Sequence, residues 1–147
     1  MNDDTINYAG FWVRVIASLI DSLLIVAITL PIVYNIYGPA YFESTTLILG
    51  PADFIITWVF PAIAVILFWV YRSATPGKML LGLKIVDAKS YRKPSTSQFV
   101  LRYVGYFVAT IPLLLGIIWV AFDERKQGWH DKMANTVVIY GRGVAKR

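Results

Sequence analysis

The chain has 147 residues and a net charge of +5; 57% of its residues are hydrophobic and 16% are charged. Soluble domains average about 45–50% apolar and about 25% charged residues, so both an ordinary soluble fold and a soluble nucleic-acid binder are disfavoured. Three windows, 22–42, 54–71 and 103–122, contain no Asp, Glu, Lys or Arg. Since a helix crosses a bilayer with about 17–25 apolar residues, they predict an all-α integral membrane protein with three hydrophobic helical segments.

The first predicted helix covers residues 8–34. Aromatic side chains mark both of its ends, Tyr8 and Trp12 at the start and Tyr34 at the finish, as expected where a helix meets the two headgroup layers. The first thirteen residues contain no Lys or Arg, and Arg14 then interrupts the apolar run. A cleavable signal peptide has basic residues before its apolar run, and this segment has none there, so we expect it to be retained.

The second predicted helix covers residues 54–72 and contains Pro61, which predicts a kink. The segment 73–95 that follows is polar and we expect it to be cytoplasmic. Residues 75–78 (Thr-Pro-Gly-Lys) match a tight type II turn, with Pro at its first central position and Gly at its second. Two β-branched runs, 83–86 and 136–140, predict short strands that form a small cytoplasmic β element if they pair.

The third hydrophobic segment, residues 96–122, has two possible structures. Ser95 and Gln98 match a capping box that starts a helix near Thr96, and Pro112 and Gly116 interrupt it. The basic residues favour a bent, re-entrant pair over one kinked crossing helix. Residues 72–102 hold seven of them and the tail 123–147 holds six, whereas the loop 35–53 holds none. By the positive-inside rule the tail then returns to the cytoplasmic side, and residues 1–147 form one membrane domain.

Arg14 and Asp21 are the most informative residues of the first helix, because ionised groups inside a membrane are costly and usually face protein or water. They lie about 10.5 Å apart along the axis, too far for easy direct pairing. Ser18 and Ser22 share their side of the helix and give it a polar face. Arg14 can reach the interface or an acid of the tail. Asp21 can pair with Arg102, bind a cation or carry a proton.

Other polar residues favour ordinary structural roles. Lys78 and its basic neighbours are expected to contact anionic lipid headgroups, and His130, the single histidine, to be structural. With no cysteine, no catalytic triad and no phosphate loop, the sequence predicts neither an enzyme nor a metal or cofactor site.

Several of these residues together resemble the RDD family. The resemblance rests on Arg14, on Asp21, on the run from Thr75 to Val86, and on His130-Asp131 ahead of Ala134 and the second strand. The arginine and the two aspartates of the family name correspond to Arg14, Asp21 and Asp131. Val13 and Asn135 depart from the pattern, which often has arginine and glycine there. The resemblance implies a small multi-pass protein of the bacterial plasma membrane that is suspected of transport, with sodium/proton exchange proposed for some members.

Two functional hypotheses follow. In the leading one, the protein transports a cation, a proton or a small solute; Asp21 lies in the pathway, and Arg14 and Asp131 form a charged gate. No internal repeat is visible and one chain has few helices, so a homo-oligomer is expected. In the alternative, the protein is a membrane assembly or accessory subunit that transports nothing, and the same charges are structural.

Overall fold

A computed structural model describes residues 6–141, which form two long apolar helices, five shorter helical pieces and a two-stranded sheet. The predicted tail residues Arg142, Lys146 and Arg147 lie outside the described range. In chain order the helices are α1 (Phe11–Tyr37), α2 (Ala40–Glu43), α3 (Pro51–Arg72), α4 (Pro76–Leu80), α5 (Thr96–Thr110), α6 (Leu115–Ala121) and α7 (Trp129–Met133). The strands are β1 (Leu83–Asp87) and β2 (Thr136–Tyr140).

The long helices α1 and α3 have 27 and 22 residues, and both are long and apolar enough to cross a membrane. Only 11% and 6% of their most apolar windows are buried within the chain, which leaves most of their side chains open to lipid. Helix α1 begins at Phe11 rather than near Tyr8, because Tyr8 is extended and bridges to Ile139 beside β2.

In α3 the irregularity expected from Pro61 takes the form of a π-helical turn over Ile55–Val59. A proline ring clashes with the carbonyl group four residues earlier, and a wider turn relieves that clash.

The segment 96–122 is strongly bent. Its capping box is present, since Ser95 accepts a hydrogen bond from the Gln98 amide and Gln98 bonds the Ser95 amide in return. Helices α5 and α6 meet at an angle of 114°, as a broken span or a re-entrant loop. The break contains Pro112, Leu113 and Leu114, and both leucines have positive φ. The segment is therefore not one continuous kinked helix, and Gly116, expected to interrupt the helix, lies inside α6.

The turn predicted at residues 75–78 is wrong. Thr75 is extended and precedes α4, in which Pro76 is the first residue and Gly77 does not have positive φ. Proline favours this position because the first turn of a helix needs no amide donor there.

The predicted strands form and pair antiparallel, with Ile85 opposite Val138. This pairing brings the segment after α3 and the tail together. A core below the sheet contains Trp69, Phe99 and the two paired residues.

Candidate functional site

A buried charged cluster joins three helices that are distant in sequence. Arg14 of α1 donates a hydrogen bond of 2.6 Å to Asp131 Oδ2 of α7, and Arg102 of α5 donates to Asp131 Oδ1. The side chains of Asp131 and Arg102 are completely buried, and that of Arg14 is 8% exposed. Asp131 also accepts from the Gly128 amide at 2.9 Å. The contact expected between Arg14 and an acid of the tail is therefore present.

The protonation of Asp131 is governed by its two arginine partners. Burial alone would raise the pKa of this carboxyl, but the charges of Arg102 and Arg14 outweigh burial and hold the pKa well below its usual range. The carboxylate therefore stays ionised at neutral pH and balances one of the two guanidinium charges.

His130 completes the cluster as a neutral ring. Its Nε2 lies 3.1 Å from Arg14 Nη2, and a guanidinium only donates, so Nε2 accepts and Nδ1 carries the proton. Burial lowers the pKa of His130 to about 3, against the attraction of Asp131. The ring stacks on Tyr106 with centroids 3.9 Å apart. Within residues 6–141, its Nδ1 has no hydrogen-bond partner.

Arg102 pairs with Asp131, so the pairing of Arg102 with Asp21, one of the three possibilities for Asp21, is wrong. Its guanidinium also donates to Thr136 Oγ1 at 2.8 Å and lies 5.5 Å from the centre of the Trp69 ring. Asp131 is the nearer acid because α5 packs directly on α7 at Gly105, where a Cβ atom would lie 2.8 Å from the His130 Cα.

Asp21 is held by two neutral donors from the segment after α3. The Thr75 hydroxyl donates to Oδ2 at 2.5 Å, and the Gly77 amide donates to Oδ1 at 2.7 Å. Gly77 makes this approach possible, because a Cβ atom there would lie 2.1 Å from the Ala17 carbonyl oxygen. None of the ion pairs found among the described residues involves Asp21. No pattern in the sequence connects Thr75 with Asp21.

Lys78 is buried, with 4% of its surface exposed, so its expected role as a headgroup contact is wrong. Burial lowers the pKa of its ammonium group; Tyr106 opposes this effect, and Arg102 and Arg14 add to it. Other basic residues of the segment remain exposed: Lys84, Lys89, Arg92 and Lys93.

The polar face expected on α1 divides between two cavities. Ser18 and Ser22 line one of about 240 Å³, together with Arg14, Tyr106 and His130. Asp21 lines another of about 200 Å³ between α1 and α3, whose other walls are mainly apolar. At 100° per residue, the two sets of α1 residues point about a quarter of a turn apart. Thr29 lines neither, and bonds the Ile25 carbonyl of its own helix.

Arg125 is a further structural residue that the sequence did not single out. It donates to the Ala88 carbonyl oxygen at 2.6 Å and to the hydroxyls of Tyr8 and Tyr91. These contacts join the chain before α1, the segment after β1 and the tail. The described residues contain no group of three or more His, Cys, Asp or Glu side chains placed to hold a metal ion.

Comparison with known proteins places this architecture among membrane proteins. Residues 8–135 match the model of the RDD family. The chain is 34% identical to the Uncharacterized membrane protein YteJ of Bacillus subtilis, over 90% of this chain and 81% of that protein. It is 30% identical to the Uncharacterized protein YxaI of the same organism, over 90% of this chain and 97% of that protein.

A shorter match has higher identity. The chain is 42% identical over 74 residues to the Uncharacterized protein RP437 of Rickettsia prowazekii. This match covers 50% of this chain and 40% of that protein. The matched part therefore spans less than half of the Rickettsia protein. No solved structure matches the chain.

Proposed function

Because this chain belongs to the RDD family of membrane proteins, we propose that it is a multi-pass protein of the bacterial plasma membrane that transports a proton or a small cation through Asp21. We propose no enzymatic activity. Arg14 and Asp131 form the charged gate beside the pathway.

The observation that carries this proposal is the environment of Asp21. Its carboxylate lies within a helix long enough to cross a membrane, and only neutral groups, Thr75 and Gly77, donate to it. A carboxylate offers about four lone-pair sites, so further sites remain for a proton or a cation. Asp21 is also one of the residues that border the cavity between α1 and α3, although the walls of this cavity are almost entirely apolar. Ionisable groups placed in this way mark ion pathways in membrane proteins.

Arg14 of the proposed gate lies two helical turns from Asp21 on the same helix, α1. Arg14 joins α1 to α7 through Asp131, so a movement of α7 that breaks this pair acts directly on the helix that carries Asp21.

The transporting form is proposed to be a homo-oligomer. One chain supplies two helices able to cross a membrane, or three if the bent pair of α5 and α6 counts as one span. So few helices do not enclose a pathway between repeats in the manner of secondary transporters. Anionic lipid headgroups are proposed to contact the exposed basic residues near β1.

Proton flux into proteoliposomes tests the function. We expect Asp21→Asn to abolish a cation-dependent proton flux while the oligomer remains intact by size-exclusion chromatography, because the amide cannot bind a proton or a cation as the carboxylate does. Glu43→Gln is the matched control, since Glu43 is an exposed acid outside both cavities. Absence of wild-type flux with every ion tried contradicts the proposal, and so does flux that survives Asp21→Asn.

Cysteine labelling tests the proposed topology, in which the basic segment and the tail are cytoplasmic. The chain has no native cysteine, so single substitutions at Lys89, Glu124 and Thr46, all exposed, are labelled cleanly. We expect an impermeant maleimide applied to intact cells to label Thr46→Cys only. Labelling of Glu124→Cys from outside would refute the return of the tail to the cytoplasmic side.

A second candidate function is favoured by the burial of the charged cluster. Asp131 is fully enclosed and joined to two arginines, an arrangement that also suits a membrane assembly or accessory subunit with purely structural charges. Loss of the oligomer in Asp21→Asn, together with absence of wild-type flux, would support this candidate over transport.

A further inference from the structure

The cavity on the Ser18 side of α1 has a different chemistry from the cavity beside Asp21. Arg14, Ser18 and Ser22 are spaced four residues apart, so they follow one face of α1 over two turns. Tyr106 of α5 and His130 of α7 lie in the opposite wall, and the remaining lining residues are apolar: Phe11, Val15, Leu19, Ile117 and Val120. Among residues 6–141, no acidic residue lines this cavity.

The polar side chains of this cavity have unused hydrogen-bond donors. Arg14 has five N–H bonds and uses three within the described residues, one to the Lys126 carbonyl oxygen, one to His130 and one to Asp131. The hydroxyls of Ser18 and Ser22 make none of the hydrogen bonds found in residues 6–141. The cavity is therefore lined by donors of Arg14, Ser18 and Ser22 that an electron-rich ligand would satisfy.

The buried charges beside the cavity point to the same ligand class. Arg14 and Arg102 are both buried, and they share the buried carboxylate of Asp131. Because one carboxylate balances only one of two guanidinium groups, one positive charge of this cluster has no counter-charge among its members. An uncompensated buried charge is costly, and a bound anion removes that cost.

We propose that this cavity binds a small monovalent anion. Arg14 supplies the charge and its two remaining N–H donors, and the Ser18 and Ser22 hydroxyls donate from the next two turns of α1. The apolar walls limit competition from water, which strengthens the attraction between the anion and the guanidinium. This site is separate from the proposed proton or cation pathway, because Asp21 faces the other cavity.

Chloride is the probe for the experiment, because the line width of its NMR signal increases when the ion exchanges with a protein site. The purified full chain in a zwitterionic detergent is titrated with sodium chloride, and sodium gluconate keeps the ionic strength constant. We expect saturable broadening for the wild type and about tenfold weaker binding or more for Ser18→Ala/Ser22→Ala, which lacks two donors to a charged ligand. The control Ser44→Ala/Thr46→Ala removes two hydroxyls from the loop after α2 and should bind chloride as the wild type does.

Asp21→Asn separates this proposal from the proposed function, since it should keep chloride binding even though it removes the proton flux. The unfolding temperature of each variant, measured in chloride and in gluconate, shows that the protein is folded and gives a second readout. It should rise in chloride for the wild type and not for Ser18→Ala/Ser22→Ala. Absence of saturable broadening in the wild type overturns the proposal, and so does unchanged binding in the Ser18→Ala/Ser22→Ala variant. A rise in the unfolding temperature with phosphatidylglycerol, without any response to chloride alone, would assign the cavity to a lipid headgroup and also overturn the proposal.

Discussion

Arg14 and Asp21 lie seven residues apart on one helix, yet their surroundings differ in kind. Arg14 is enclosed with a second arginine and with Asp131, a carboxylate from the far end of the chain that the two arginines share. Asp21 receives two hydrogen bonds from uncharged donors and borders a cavity. Charged residues of one apolar helix can therefore have separate surroundings: Arg14 joins α1 to α7 through an ion pair, whereas Asp21 joins α1 to α4 through uncharged donors.

The largest loss of stability is expected when the carboxylate of Asp131, which Arg14 and Arg102 share, is removed. Asp131→Asn leaves two buried guanidinium groups without a counter-charge, and breaking a buried pair in this way costs about 3–5 kcal/mol. We expect most of the protein to be lost from the folded fraction, measured by size-exclusion chromatography and thermal unfolding in detergent. Asp123→Asn is the control, because the Lys132 partner of Asp123 is 45% exposed and such pairs contribute about 1 kcal/mol or less.

Exchanging the charges, as Arg14→Asp with Asp131→Arg, should not rescue the fold. Asp131 also accepts from Arg102 and from the Gly128 amide, and an arginine there would repel the first and offer no acceptor to the second. Recovery of wild-type stability in the exchanged variant would show that the cluster is a simple pair.

The next largest effect is expected at Gly77, where the Asp21 side of the contrast depends on close packing. Gly77→Ala places a Cβ atom 2.1 Å from the Ala17 carbonyl oxygen, so α4 must move away from α1 and lose the amide bond to Asp21. Overpacking and the lost hydrogen bond together predict a destabilisation of about 3 kcal/mol, measured by thermal or denaturant unfolding. Gly10→Ala is the control, because no atom lies within 4 Å of a Cβ atom there. Equal stability of the two variants would contradict the packing argument.

A smaller effect is expected when a single donor to Asp21 is removed. Thr75→Val keeps the shape of the side chain but deletes the hydroxyl that donates at 2.5 Å, which predicts a loss of about 1.5 kcal/mol in the free energy of unfolding. Thr75→Ser restores the hydroxyl and should recover most of that loss. If valine and serine are equivalent, the contact does not stabilise Asp21.

An effect of similar size is expected from pH, through His130. Its folded pKa is about 3, well below the ordinary value of 6.5, so between these values the unfolded chain binds the extra proton and stability falls as pH falls. The unfolding temperature should therefore decrease from pH 7 to pH 5. Since the chain has one histidine, His130→Gln should remove most of this dependence. An unchanged slope in that variant would assign the pH dependence to other groups.

The parts of the fold that follow from local patterns were predictable from the sequence. Hydropathy located α1 and α3, the capping box located the start of α5, and β-branched runs located both strands. The distribution of basic residues also favoured a bent third segment, because it reports on the membrane side of distant segments rather than on local structure. The bend of 114° agrees with that expectation.

Contacts that depend on three-dimensional packing were not predictable in the same way. Opposite charge made Arg102 a possible partner of Asp21. The close approach of α4 to α1 instead places Gly77 beside Asp21, and the close approach of α5 to α7 places Arg102 beside Asp131. The burial of Lys78 was missed for the same reason, since it depends on how α4 packs on the rest of the fold. Asn135, a departure from the family pattern, has a φ of 52°, a conformation that asparagine accepts more readily than most residues.

The separation of 117 residues between Arg14 and Asp131 determines when the cluster can form during biosynthesis. At about 5–20 residues per second, the ribosome adds Asp131 roughly 6–25 s after Arg14. During that interval α1 is a nascent helix whose arginine has no carboxylate from the tail. A chain that ends before α7 lacks Asp131, so Arg14 cannot form its ion pair there as it does in the full-length chain.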